Sequence, residues 1–151
     1  MASEIERLEK NYIALLGAIP YLTTAQGGTI LGAADAATLL DLTTLSPPAA
    51  VVVFNSEIAQ RNEIVGGALQ QTSMEWSIFL VAPSFGAEVE GRLGSTGVYQ
   101  MIDDALAALE GKVISLDETA KVFYVRTRRY NVTGNAVVYE LVVRNAYLRK
   151  A

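Results

Sequence analysis

The side chains able to do chemistry here are carboxylates, lysines, arginines and tyrosines, because the chain has no Cys and no His. Disulfides, thiolate and imidazole metal sites, Ser-His and Cys-His nucleophile pairs and histidine pH switches all need one of the missing side chains. Among the carboxylates, Asp103 and Asp104 are adjacent. On a helix, neighbours point about 100° apart, which does not make an acid/base pair. A metal hydrolase would need Asp and Glu from several elements to converge, and no spacing here shows that. The glycines of Ser84-Phe85-Gly86-Ala87-Glu88-Val89-Glu90-Gly91-Arg92-Leu93-Gly94 match neither G-x-x-x-x-G-K-[ST] nor G-x-G-x-x-G, which makes a phosphate cradle a poor reading. Nothing in these patterns calls for catalysis, a cofactor or a bound metal.

One pattern does suggest binding. In Val122-Phe123-Tyr124-Val125-Arg126-Thr127-Arg128-Arg129-Tyr130, strict alternation would place Tyr124, Arg126, Arg128 and Tyr130 on one strand face. Aromatics interleaved with arginines can serve as a sequence-tolerant nucleic-acid platform. The plainer reading is a solvated or subunit-facing side of a sheet, and the net charge of -4 favours it. Charge is also unevenly distributed. No basic residue lies between Lys10 and Arg61, whereas Lys121, Arg126, Arg128, Arg129, Arg144, Arg149 and Lys150 face the single acid Glu140 in the C-terminal part. A split of this kind suits one subunit's basic side meeting its neighbour's acidic side.

These residues must be positioned by a modest set of elements. The 151 residues suit one domain, 1-151. At 51% hydrophobic and 19% charged, the chain is apolar enough to expect some surface to meet other subunits. No run reaches the about 20 apolar residues that cross a bilayer, and the acidic start is unlike a signal peptide, so the expected site of synthesis is cytosolic, with no membrane partner.

Ser3-Glu4-Ile5-Glu6 has capping-box spacing. Ile5, Leu8, Tyr12, Leu15, Leu16 and Ile19 then recur at helical steps up to Pro20, which predicts a first helix. Gly27-Gly28 marks a turn, and the Ala/Leu-rich stretch from Leu31 to Leu42 could form a short helix. After Pro47-Pro48, the runs Ala49–Phe54 and Met74–Val81 read as strands buried on both faces and central in a sheet. Between them, Asn55 to Ser73 is too long for an ordinary hairpin loop, so it is expected either to extend the strands as a two-stranded arm or to be functional. Apolar residues on such an arm need a partner to dock on. A second helix, capped by Ser95 or Thr96, is predicted from Val98, Met101, Ile102, Ala105, Leu106 and Leu109, with Asp103 and Asp104 on its wet face. The runs from Val122 and Ala136 make a hairpin.

In that order, Pro48-Ala49-Ala50-Val51-Val52-Val53, Trp76-Ser77-Ile78-Phe79-Leu80-Val81, the helix from Gly97 to Leu109 and Val138-Tyr139-Glu140-Leu141 resemble the tail terminator, or tail completion, proteins. These belong to Mu-like contractile-tailed bacteriophages and related contractile injection particles. The resemblance implies an α+β fold in the order α-β-β-α-β-β: a mostly antiparallel four-stranded sheet with helices packed on one side and a long arm between the first two strands. It also implies a structural virion protein, not an enzyme, without cofactor. Such a protein forms a hexameric ring that caps the head-proximal end of the tail tube, ends polymerisation and joins the head connector. Expected partners are further copies of the chain, the tail tube protein, the sheath protein as a candidate, head-tail connector proteins, and DNA passing through the lumen. Localisation would be the virion tail, after assembly in the host cytoplasm. Glu57, Arg61, Glu63, Ile64, Val65 and Leu69 on the arm, with Arg126, Arg128 and Arg129 on the hairpin, are the expected subunit or tube interface. A sequence-tolerant nucleic-acid-binding domain is the alternative.

Overall fold

A computed structural model describes residues 4–32, 48–65, 69–83, 97–112, 121–132 and 136–150 of the chain. In chain order the elements are helix α1 (Glu4–Leu16), two 3-10 turns (Pro20–Leu22 and Thr24–Gln26), β1 (Thr29–Gly32), β2 (Ala49–Val65), β3 (Leu69–Pro83), α2 (Val98–Leu109), β4 (Val122–Val132) and β5 (Ala136–Lys150). The sheet order is β1-β2-β3-β5-β4. The α+β class is as expected, but the sheet has five strands and is mixed, because β1 pairs parallel to the start of β2 from Thr29↔Ala49 to Gly32↔Val52. Four residues ending in glycine carry too little β signal to be read alone; the exposed edge of β2 is what holds them extended.

The runs from Ala49 and Met74 are interior strands, as their two-sided apolar character requires. Their alternation sorts the core. Ala50, Val52, Trp76, Ile78 and Leu80 face the helices, packing with Leu8, Tyr12, Leu16 and Ile19 of the N-terminal segment and with Val98, Met101, Ala105 and Leu109 of α2. Ala49, Val51, Val53, Phe79, Val81 and Val138 form a separate buried cluster on the other face. Both described helices lie on the first side.

Asn55 to Ser73 is not a two-stranded arm. β2 and β3 do run on as a ladder to Val65↔Leu69, but β5 accompanies β3 for its whole length, from Pro83↔Ala136 to Leu69↔Lys150. The extension therefore has three strands beyond the reach of β1 and β4, which makes it stiffer than a bare hairpin. It is not regular: β2 shifts register between Phe54 and Ser56 and again between Ala59 and Ile64. The Gly66-Gly67 tip lies outside the described residues.

Local signals explain most ends. α1 stops at Leu16, and Pro20 opens a 3-10 turn rather than merely ending the helix. Gly27 adopts φ +82, a left-handed conformation that glycine takes without steric cost. Next to it, a Cβ on Gly28 would come within 2.2 Å of the Tyr21 carbonyl oxygen, so only glycine lets β1 start this close to the preceding turn. The N-cap of α2 is Gly97, without a side-chain cap bond, not the predicted Ser95 or Thr96. Those two residues, Ser3 of the capping box, the glycine loop from Ser84, and the Ala/Leu-rich stretch beyond Gly32 lie outside the described residues.

Candidate assembly surface

The two sides of the sheet treat their polar groups differently. On the helix side, buried Asn145 sits under α1: its Oδ1 accepts from the Tyr12 hydroxyl at 3.1 Å and the Trp76 indole N–H at 2.9 Å. Its Nδ2 donates to the Ala146 carbonyl. Tyr12 and Phe54 pack against the Trp76 ring with centroids 4.9 and 5.2 Å away. Burial pushes the Tyr12 hydroxyl well above the usual tyrosine range, so it stays a donor at any ordinary pH. Half-buried Asp104 is not simply wet, as it accepts from the Tyr21 hydroxyl at 2.6 Å and from Gln100 at 2.9 Å. Burial, then the bond to Asp104, raises the Tyr21 pKa. On α1, burial and the nearby Glu6 raise the Glu9 pKa, with Lys10 opposing.

On the other side, helix-free among the described residues, a polar chain crosses four strands. Asn55 Nδ2 donates to Ser77 Oγ at 2.6 Å, Ser77 Oγ donates to Glu140 Oε2 at 2.6 Å, and Arg128 Nε donates to Glu140 Oε1. Glu140 is buried while Arg128 remains exposed. The lone acid of the basic C-terminal segment is thus the internal counter-charge of one arginine. Its isolation among cations was the available sequence signal.

Two bulges reorganise β4. Register shifts between Tyr124 and Arg126 and between Arg129 and Asn131 each insert a residue and reverse the alternation. Directly paired residues share a face, so Phe123, Arg126 and Arg128, opposite Arg144, Val142 and Glu140, lie on the helix-free side. Tyr130 lies there too, its ring 4.8 Å from Phe79. Tyr124 and Arg129, opposite Val143 and Tyr139, point to the helix side, and Tyr124 exchanges a hydrogen bond with Thr127 there. The expected four-residue face of Tyr124, Arg126, Arg128 and Tyr130 is therefore corrected: the bulge removes Tyr124 from it.

Toward the extension this side stays open. Ile58 is 63% and Phe123 49% exposed. Between them lie two adjoining hollows, about 200 Å³ lined by Ser56, Ile58, Ser73, Glu75 and Arg144, and about 140 Å³ lined by Ser73, Phe123, Arg144 and Ala146. Ser73 and Arg144 belong to both, so the two make one groove running across β2, β3, β5 and β4. Of the predicted interface residues, Glu57 is half-buried opposite Met74. Arg61, Glu63, Ile64, Val65 and Leu69 fall on β2 and β3, but their side chains lie outside those described. The groove around Arg144 was missed because its residues come from four strands and form no pattern along the chain.

Among the described residues, no group of three or more acidic side chains is placed to hold a metal ion, and no helix is long and apolar enough to cross a membrane. The described residues on this side thus form an open, mixed-charge sheet face backed by a closed core. The family model for the phage tail terminator protein matches residues 23–150, and the chain belongs to that family. It is accordingly a structural component of a phage tail, and so of the virion. No curated protein matches the sequence. Helix α1 precedes the matched segment, although its Tyr12 is bonded to Asn145 inside it.

Proposed function

We propose that the chain forms a hexameric ring that caps the head-proximal end of the tail tube, ends its polymerisation and presents a joint to the head connector, without catalysis. The observation that carries this is the helix-free face: one chain leaves Ile58, Phe123, Tyr130 and Arg126 uncovered on a rigid sheet. Exposed apolar side chains grouped with cations are the makings of an interface. The three-stranded extension gives the same sheet the reach to touch a neighbouring subunit or the tube, and tube protein is the partner it would stop against. Sheath protein and lumenal DNA are further partners that this placement allows. Because Arg128 is engaged by Glu140, Arg126 is the hairpin arginine on this face available to a partner.

The test is assembly. The purified chain should sediment at six chain masses, alone or on tube ends, and tails built without it should lose their length limit in electron micrographs. Shortening the extension at Gly66-Gly67 should leave the fold intact and abolish capping; tails of normal length from that variant would reject a role for the extension. The nucleic-acid reading requires a single-strand affinity that falls steeply with salt. It is weakened by the bulge that separates Tyr124 from Arg126 and Arg128.

A further inference from the structure

The geometry points to the occupant of the Arg144 groove: it is the outer stripe of α2 from the next copy of the chain. This rests on the ring reading and specifies its interface. Within α2 and its C-cap, Gln100, Asp103, Ala107 and Glu110 are exposed and recur at three and four residue steps, forming one outward stripe. The stripe carries two carboxylates, and no basic residue occurs between Val98 and Glu110. The groove and the β4 residue beside it, Arg126, carry two arginines against one acid. Neither Arg126 nor Arg144 forms an ion pair among the described residues, while the Arg128 charge is answered by Glu140. The one acid is Glu75, directly across from Arg144 in the ladder, so this side is left with one positive charge, that of Arg126 on β4 beside the groove, next to the apolar walls Ile58 and Phe123.

Dimensions agree as well. Four strands are crossed in three inter-strand steps of about 4.8 Å, roughly 14 Å in all. From Gln100 to Glu110 the stripe rises about 15 Å. The outer side of α1 does not offer the same match, since its Lys10 and Glu6 pair with each other.

The two patches lie on opposite sides of one sheet, so a chain cannot satisfy its own groove with its own α2. Contact between different patches on successive copies is heterologous, the kind that closes into a ring when the rotation permits. Charge complementarity would fix the register of that contact and suppress wrong pairings.

Sedimentation of the full chain and its variants tests this. Arg144→Glu, or Ile58→Asp as a second groove variant, should lose the assembled particle while keeping a cooperative thermal melt. Asp103→Lys with Glu110→Lys should do the same from the helix side. A one-to-one mixture of a groove variant and the helix variant should recover an assembled particle, because the pair retains one intact groove and one intact stripe and its two altered patches again carry opposite charges. Variants that keep the wild-type mass overturn the inference and leave the ring reading standing. Folded monomers that fail to recombine also overturn it, since the groove must then take another occupant. A wild type that stays monomeric both alone and on tube ends removes the ring reading and the inference together.

Discussion

The two sides of this sheet are built from the same strands, yet among the described residues one is covered by helices and the other is open at Ile58 and Phe123. Under the helices, the polar atoms of Tyr12, Trp76 and Asn145 satisfy one another inside an apolar core. On the other side the buried cluster around Val51 and Phe79 gives way to the polar chain ending at Arg128, and then to an open groove between exposed Ile58 and Phe123. A satisfied buried network specifies one packing. The groove, whose Arg144 has no ion pair among the described residues, is the part of the surface that the proposed ring would cover. In the proposed ring, stability and assembly are then encoded on different sides, and substitutions can pull them apart.

The largest difference should come from removing the big side chains. Trp76→Ala should cost about 3–5 kcal/mol in urea unfolding, from the lost volume of a fully buried ring, whereas Phe123→Ala should stay within about 0.5 kcal/mol and act on assembly. Comparable losses from the two would break the contrast. Asn145→Leu should cost about 2–4 kcal/mol, because it strands the Tyr12 hydroxyl and Trp76 N–H without an acceptor; a neutral result would mean that α1 is not pinned through this residue. Glu140→Gln should cost about 1–2 kcal/mol by weakening the bonds from Arg128 and Ser77. It also frees Arg128, so a change in assembly beyond the stability loss would sharpen the division between the two sides.

The smallest effect is expected at Glu9. Its carboxyl is held above the usual range in the folded chain, so folding favours the protonated form. Stability is therefore fully present below the ordinary carboxylate pKa and declines as pH rises through the raised value. Glu9→Gln removes that decline. The variant should melt slightly higher than wild type near neutral pH and indistinguishably at pH values where the carboxyl is protonated in both states. A difference of the same size at every pH would assign the effect to packing instead.

Much of the helix-covered side was legible in advance. The stripe of Leu8, Tyr12 and Leu16, the alternation of Trp76, Ile78 and Leu80, and the α2 periodicity each follow from one element's own residue order. The open side was less legible. Alternation puts Arg126 and Arg128 on one face, as the structure does, but it misplaces Tyr124, because the bulges leave no mark in a run of Tyr, Val, Arg and Thr. Glu140, Ser77 and Asn55 come together from three strands, and no spacing along the chain announces such a meeting.

By itself, then, the sequence determined the helices, the interior strands, the absence of histidine and cysteine chemistry, and the segregation of charge, because each depends on composition or local periodicity. It also marked the length between Phe54 and Met74 as needing explanation. Only the tertiary structure decided that β5 supports that stretch as a third strand, that β1 joins the sheet, and that Arg144 lies in a groove between Ile58 and Phe123. Strand order and bulge position are set by competition among distant segments for the same edges and the same core. Which arginine pairs with Glu140 and which does not is therefore a property of the assembled sheet.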